Sequence, residues 1–106
     1  MGIEIISSGL FDSWLEKLKD KNAQRRILHW LARCEAHGEM VGDIKAVGNA
    51  VNEMRFYFGA GYRVYFTQLG EVTVLLLAGG DKSSQRRDIK VAQRLAREVR
   101  RTDEVF

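Results

Sequence analysis

Apolar residues change their spacing several times along this chain, and each change marks an element. Ile3, Ile5 and Ile6 give residues 2–6 the character of a short first strand. Ser7, Ser8 and Gly9 interrupt it and offer an N-cap. Phe11, Trp14, Leu15 and Leu18 then recur at helical spacing, which predicts an amphipathic helix over about 10–20. Ala23, Ile27, Trp30, Leu31 and Cys34 form the stripe of a second helix, from about 22 to 36, ended by His37 and Gly38. Lys17, Lys19, Lys21, Arg25, Arg26 and Arg33 fall on the outer faces of this hairpin. Residues 38–50 read as loop, because Gly38, Gly42, Gly48 and Asn49 are breakers.

From Val51 the period becomes two. Met54, Phe56 and Phe58 include an alternating apolar set with Arg55 and Tyr57 between them, and Gly59-Ala60-Gly61 makes a turn. Tyr62, Val64 and Phe66 alternate again, which places Arg63, Tyr65 and Thr67 together on the opposite face. A second turn at Leu69-Gly70-Glu71 leads into residues 72–78. This run is nearly all apolar, as in a central strand buried on both faces, and Gly79-Gly80 is expected to stop it. Ser83 or Ser84 can cap a last helix, whose apolar face is Ile89, Ala92, Leu95, Ala96 and Val99. The order β-α-α-β-β-β-α predicts one α+β domain over residues 1–106. It has a mostly antiparallel sheet, a helical hairpin on one face and a basic helix at the C-terminal end.

Composition narrows the function classes. The chain has 106 residues, of which 45% are apolar, and no apolar run approaches the roughly 20 residues of a membrane helix. The first residues lack the basic segment, long apolar core and small-residue cleavage site of a secretory signal, so a cytoplasmic protein is expected. The single cysteine, Cys34, sits in a helix stripe as a small core residue. His29 and His37 have no third ligand at useful spacing, so no metal site and no cofactor are called for. The net charge of +3 is unevenly spread. Residues 82–101 hold eight Lys or Arg against Asp88 and Glu98, a net +6, while the rest of the chain carries −3. Arg86, Lys90, Arg94, Arg97 and Arg101 repeat every three or four residues as a helical stripe. It suits a polyanion or an acidic protein partner, or is a solvated face.

Four blocks carry a family resemblance. They are Gly42-Asp43-Ile44-Lys45-Ala46-Val47-Gly48, Glu53-Met54-Arg55, Gly59-Ala60-Gly61-Tyr62-Arg63-Val64-Tyr65-Phe66, and Leu75-Leu76-Leu77-Ala78-Gly79-Gly80-Asp81-Lys82-Ser83-Ser84-Gln85. With the N-terminal Phe11-Asp12-Ser13-Trp14-Leu15, they resemble the addiction module killer protein (HigB-like) family of the RelE/ParE toxin superfamily. The resemblance spans nearly the whole chain. It implies a RelE-like fold with the predicted element order, and a toxin of a type II toxin–antitoxin system. It also implies a cognate antitoxin, commonly a helix-turn-helix DNA-binding protein. The best-studied relatives act on the ribosome and cleave mRNA without a metal, stopping translation and growth. Another branch of the superfamily inhibits DNA gyrase and cleaves nothing, and a fold alone does not choose between the two.

RNA cleavage by attack of the ribose 2′-hydroxyl needs a proton acceptor, a proton donor for the leaving 5′-oxygen, and cations for the charge on the phosphorane. The resemblance makes Arg63 the active-site arginine and places Lys82 where relatives carry a second basic residue. Arg55, alternating outward as Arg63 does, is the third catalytic candidate. Lys45 in the glycine-rich loop is expected to reach RNA backbone, Tyr65 to stack on a base, and Gln85 to bond a base or phosphate or to cap its helix. Tyr57 reads as packing. The stripe Arg86, Lys90, Arg94, Arg97 and Arg101 is expected to hold ribosomal RNA or an antitoxin. Each of these has a plainer reading as surface or packing. Where relatives place a catalytic tyrosine early in the last helix, spacing puts Asp88, and no histidine follows His37, so the acid–base pair stays open.

Overall fold

Ser8 begins the first helix. Its hydroxyl accepts from the Phe11 N–H at 3.0 Å and caps α1 (Gly9–Glu16) directly after strand β1 (Glu4–Ser7). Asp20 caps α2 (Lys21–His37) the same way, accepting from the Ala23 N–H at 3.0 Å, and Gly38 closes that helix at φ 97°. This computed structural model describes residues 2–105, with side chains up to Arg101.

Strands β2 (Asp43–Ala46), β3 (Val51–Arg55), β4 (Arg63–Gln68) and β5 (Thr73–Gly80) form an antiparallel meander. Strand β1 joins it parallel to β5, so the sheet order is β1-β5-β4-β3-β2. The fold is α+β, with a mostly antiparallel sheet, and is compatible with the RelE-like arrangement. A single 3₁₀ turn, Lys82–Ser84, carries the chain from β5 into α3 (Gln85–Val105). No helix among the described residues is long and apolar enough to cross a membrane.

The two sheet faces have separate cores. On one, Phe11, Leu15, Ile27 and Leu31 of α1 and α2 pack on Met54, Val64, Phe66 and Leu76. On the other, Ala92 and Ala96 of α3 pack on Val51, Tyr65, Leu75, Leu77 and Ala78. The register between β4 and β5 shifts between Tyr65 and Phe66, leaving Leu77 without a partner. This bulge turns both Leu77 and Ala78 toward α3.

Three features differ from the sequence-based expectation. Strand β2 lies inside the expected loop. It is a four-residue edge strand with no buried position, so it has no apolar alternation to read. Gly48, Asn49 and Ala50, all at positive φ, turn it into β3. Strand β5 continues through Gly79 and Gly80. A Cβ on Gly79 would lie 2.2 Å from Trp14, and one on Gly80 would lie 1.8 Å from the Asp88 carboxylate. The glycines therefore admit a close approach from each face and are the last two residues of the strand itself. The face bearing Arg63, Tyr65 and Thr67 is covered by α3, and all three residues are buried.

Candidate nucleic-acid interface

Strand register lines up the candidate residues. Asp43, Arg55, Arg63 and Gly80 are partners across β2, β3, β4 and β5, so the three side chains share the α3 face in one row. The next row along the same face is Lys45, Glu53, Tyr65 and Ala78. Gly80 has no side chain, and Asp88 of α3 occupies that end of the first row, with Oδ2 accepting from Ser84 Oγ at 2.5 Å. Carboxylates thus stand at both ends and two arginines in the middle.

Arg63 is the buried member, 6% exposed. Its Nη1 donates to the Gly61 carbonyl at 2.9 Å, while its Nε is buried with no partner among the described residues. Lys82 comes to the same place from the other side. A Cβ on Gly61 would sit 3.5 Å from both Arg63 Nη1 and Lys82 Cβ. Gly61 is at φ 73°, so the turn both provides the left-handed backbone and leaves the space where these side chains meet. Arg55 is held by Asp43, Nη2 to Oδ1 at 3.2 Å. Tyr57 donates its hydroxyl to the other Asp43 oxygen. These bonds, first from Tyr57 and then from Arg55, hold the Asp43 carboxyl below its usual range, and Arg63 adds to the effect through space. The Asp81 carboxyl is lowered too, first by the Ser83 hydroxyl, then by the Ser83 and Ser84 N–H groups and the Arg63 charge. The field of Arg63 therefore reaches carboxylates on both sides of it.

The second row is buried. Glu53 is fully enclosed; its Oε2 accepts from Tyr65 OH at 3.1 Å and from Gln85 Nε2 at 2.7 Å, and its Oε1 has no partner among the described residues. Burial, then the neighbouring Glu53, pushes the Tyr65 hydroxyl far up. Tyr65 consequently cannot stack on a base: α3 covers its ring. Gln85 turns inward to Glu53 and does not cap the helix; Asp81 caps the 3₁₀ turn through the Ser83 N–H. Lys45 is exposed on β2, opposite Glu53 in register, rather than in a loop. Tyr57, read as packing, is instead 75% exposed. Arg86, Lys90, Arg94, Arg97 and Arg101 are exposed along α3, away from the row's centre, and Arg94, Arg97 and Arg101 flank a shallow depression of about 360 Å³ with Glu98. Arg55 and Arg63 thus stand side by side, and the stem of Lys82 lies by the Gly61 turn next to Arg63.

Three contributors escaped the sequence reading. Glu53 was visible only as part of a block, since one acid in a strand carries no signal of its partners. Asp43 needed the register of an unpredicted strand. Arg100 reaches back from α3 to Thr67 Oγ1 at 2.8 Å and to the Asn49 carbonyl at 3.0 Å, tying the helix to the sheet. Across the ends of β2 and β3, facing α2, a larger open recess of about 930 Å³ is lined by Arg25, Arg26, Trp30, Arg55, Tyr57 and Phe58 among others. No group of three or more His, Cys, Asp or Glu among the described residues is placed to hold a metal ion.

The family model described as phage-derived protein Gp49-like matches residues 13–99, which include every strand but β1 and the whole arginine row. A protein of Haemophilus influenzae (strain Rd), itself uncharacterised, is 44% identical over 99 residues, covering 93% of this chain and 98% of the relative.

Proposed function

Since the chain belongs to the phage-derived Gp49-like family, a toxin-like family of the RelE/HigB type, we propose that it is the toxin of a type II toxin–antitoxin pair and an endoribonuclease that cleaves mRNA on the ribosome. The observation that carries this reading is the direct opposition of Arg55 and Arg63 in neighbouring strands, with the Lys82 stem beside Arg63 at the Gly61 turn. Like charges directly opposite are destabilising, and the ladder sets their Cα atoms about 5 Å apart. Asp43 offsets Arg55. Arg63 makes no ion pair among the described residues and buries an unpartnered Nε. A phosphate oxygen at the exposed edge of the row would supply the counter-charge that Arg63 lacks.

The chemistry follows from that row. Arg63 and Arg55 stabilise the phosphorane formed when the 2′-hydroxyl attacks, which is where preorganised donors lower a barrier most. Asp88, at the Gly80 end of the row and 3.9 Å from the neighbouring Arg87, is the carboxylate we assign to take the 2′-proton. It stands where relatives are expected to carry a tyrosine. Lys82 supplies the proton for the leaving 5′-oxygen. Cations and a carboxylate suffice for this reaction, so it has no requirement for a metal. The exposed stripe of α3 then binds ribosomal RNA backbone, and a cognate antitoxin with an acidic segment neutralises the toxin by covering the same basic surfaces.

The experiment is primer extension on cellular mRNA after induced expression, run beside a gyrase supercoiling assay on the pure protein. New 5′ ends within reading frames, lost in an Arg63→Met variant at equal expression, are the expected result. Inhibition of supercoiling without any new ends would overturn the proposal in favour of a gyrase inhibitor.

A further inference from the structure

Apart from Arg55 at its edge, the recess between α2 and the end of β3 takes no part in the chemistry above. Its lining contains one acid, Asp43, which is already engaged by Arg55 and Tyr57. Arg25 and Arg26, both exposed on α2, have no ion-pair partner among the described residues and leave the rim cationic. Its walls are aromatic. Arg26 lies over the Phe58 ring, 4.0 Å from its centroid, which presents a guanidinium to the opening. Tyr57 is the most exposed large apolar residue of those described, at 75%, yet its hydroxyl is fixed by Asp43, so an open ring is held in one place. Trp30 is anchored likewise, its Nε1 donating to the Val41 carbonyl at 2.9 Å.

Rings and guanidinium planes with surrounding cations suit a polyanion that also carries flat faces. Single-stranded nucleic acid has both properties, and every base offers a π-face regardless of sequence. An apolar protein helix would meet few aliphatic side chains here. Asp43, Arg55 and Tyr57 belong both to this recess and to the surroundings of the arginine row. A strand whose phosphate sits at Arg63 can therefore continue past Arg55 into the recess. We propose that the recess binds the single-stranded RNA flanking the scissile phosphate, with Arg25 and Arg26 on its backbone and a base stacked on Tyr57. That the bound RNA flanks a scissile phosphate rests on the cleavage reading above; binding to the recess does not.

The test uses the full chain and a short fluorescein-labelled 2′-O-methyl oligoribonucleotide, which lacks the attacking hydroxyl and stays intact. Binding is followed by anisotropy over a range of salt concentrations, and cleavage of unmodified mRNA on ribosomes is measured separately. Tyr57→Leu is expected to raise Kd about tenfold or more through loss of one stacked base. The double variant Arg25→Gln/Arg26→Gln is expected to weaken binding and to reduce the salt slope by roughly 0.7 for each phosphate no longer neutralised. Both changes are at exposed positions, and circular dichroism checks that each variant is folded. Recess-dependent binding by a protein that cleaves nothing would keep the recess as a single-stranded RNA site and remove both the nuclease reading and the placing of that RNA beside a scissile phosphate. Wild-type affinity and salt slope in both folded variants would overturn the recess proposal even if cleavage is observed. So would a poly-glutamate peptide that binds as tightly and is weakened as much by Tyr57→Leu, because the recess would then be a protein-docking surface.

Discussion

Arg63→Met separates structural from chemical need at one residue. The arginine is 6% exposed, so its replacement would ordinarily be counted as a core change. Methionine retains much of the aliphatic stem and adapts to irregular space. What disappears is the guanidinium. One hydrogen bond goes with it, Nη1 to the Gly61 carbonyl at 2.9 Å, worth about 1 kcal/mol net. The buried Nε without a partner also disappears, and an unmade buried hydrogen bond costs about 1–3 kcal/mol. The like-charge opposition to Arg55 is relieved as well. Loss of attraction to Asp43 and Asp81 runs the other way. The terms nearly cancel, so stability in urea should stay within about 1 kcal/mol of wild type or rise. RNA cleavage should fall about a hundredfold or more, as when a positioned donor to developing charge is removed. Unfolding is followed by tryptophan fluorescence and cleavage by primer extension at matched folded concentration. A variant destabilised by more than about 2 kcal/mol that retains full cleavage per folded molecule would refute the reasoning. Arg63 would then be a structural residue that happens to lie in a basic row.

Four other outcomes follow from particular contacts. Tyr65→Phe removes a buried donor to Glu53 Oε2 at 3.1 Å and should cost about 1–3 kcal/mol in urea unfolding; an unchanged midpoint would mean that the hydroxyl contributes nothing. Gly80→Ala places a methyl 1.8 Å from Asp88 Oδ2 and should displace that carboxylate, so growth arrest should weaken even where the folded fraction, measured by circular dichroism, is preserved. The Asp81 carboxyl lies below its ordinary 3.8 when folded, so its contribution is fully present above that value and is lost as pH falls through the folded value. Asp81→Asn should therefore flatten the decline in stability as pH falls below that ordinary value, and an unaltered decline would assign it to other acids. Arg94→Glu with Arg97→Glu should weaken ribosome binding and flatten its salt dependence in a sedimentation assay, with unaltered binding at every salt concentration marking the stripe as a solvated face.

The sequence by itself determined the helices, three strands of the meander and the membership of each face. Periodicity carries that information: in extended backbone, Val64 and Phe66 fall on the opposite face from Arg63, Tyr65 and Thr67 whatever packs on each. Strand β2 was not legible, because all its positions are exposed or half-buried and its ladder to β3 depends on backbone bonds rather than an apolar pattern. Only the tertiary structure decided what covers each face. Alternation put Tyr65 with the arginines, but the docking of Ala92 and Ala96 sealed it in a core, and the docking of Gln85 turned a candidate ligand into a partner of buried Glu53. The same docking left Arg63 at the edge of α3, where buried surface meets the Gly61 turn and Lys82. Residues 25 and 57 are 32 positions apart in the chain, and their meeting in one recess depends on α2 lying across the sheet. Local chemistry fixes which way a side chain points from its strand, whereas enclosure and neighbours come from contacts between elements far apart in sequence.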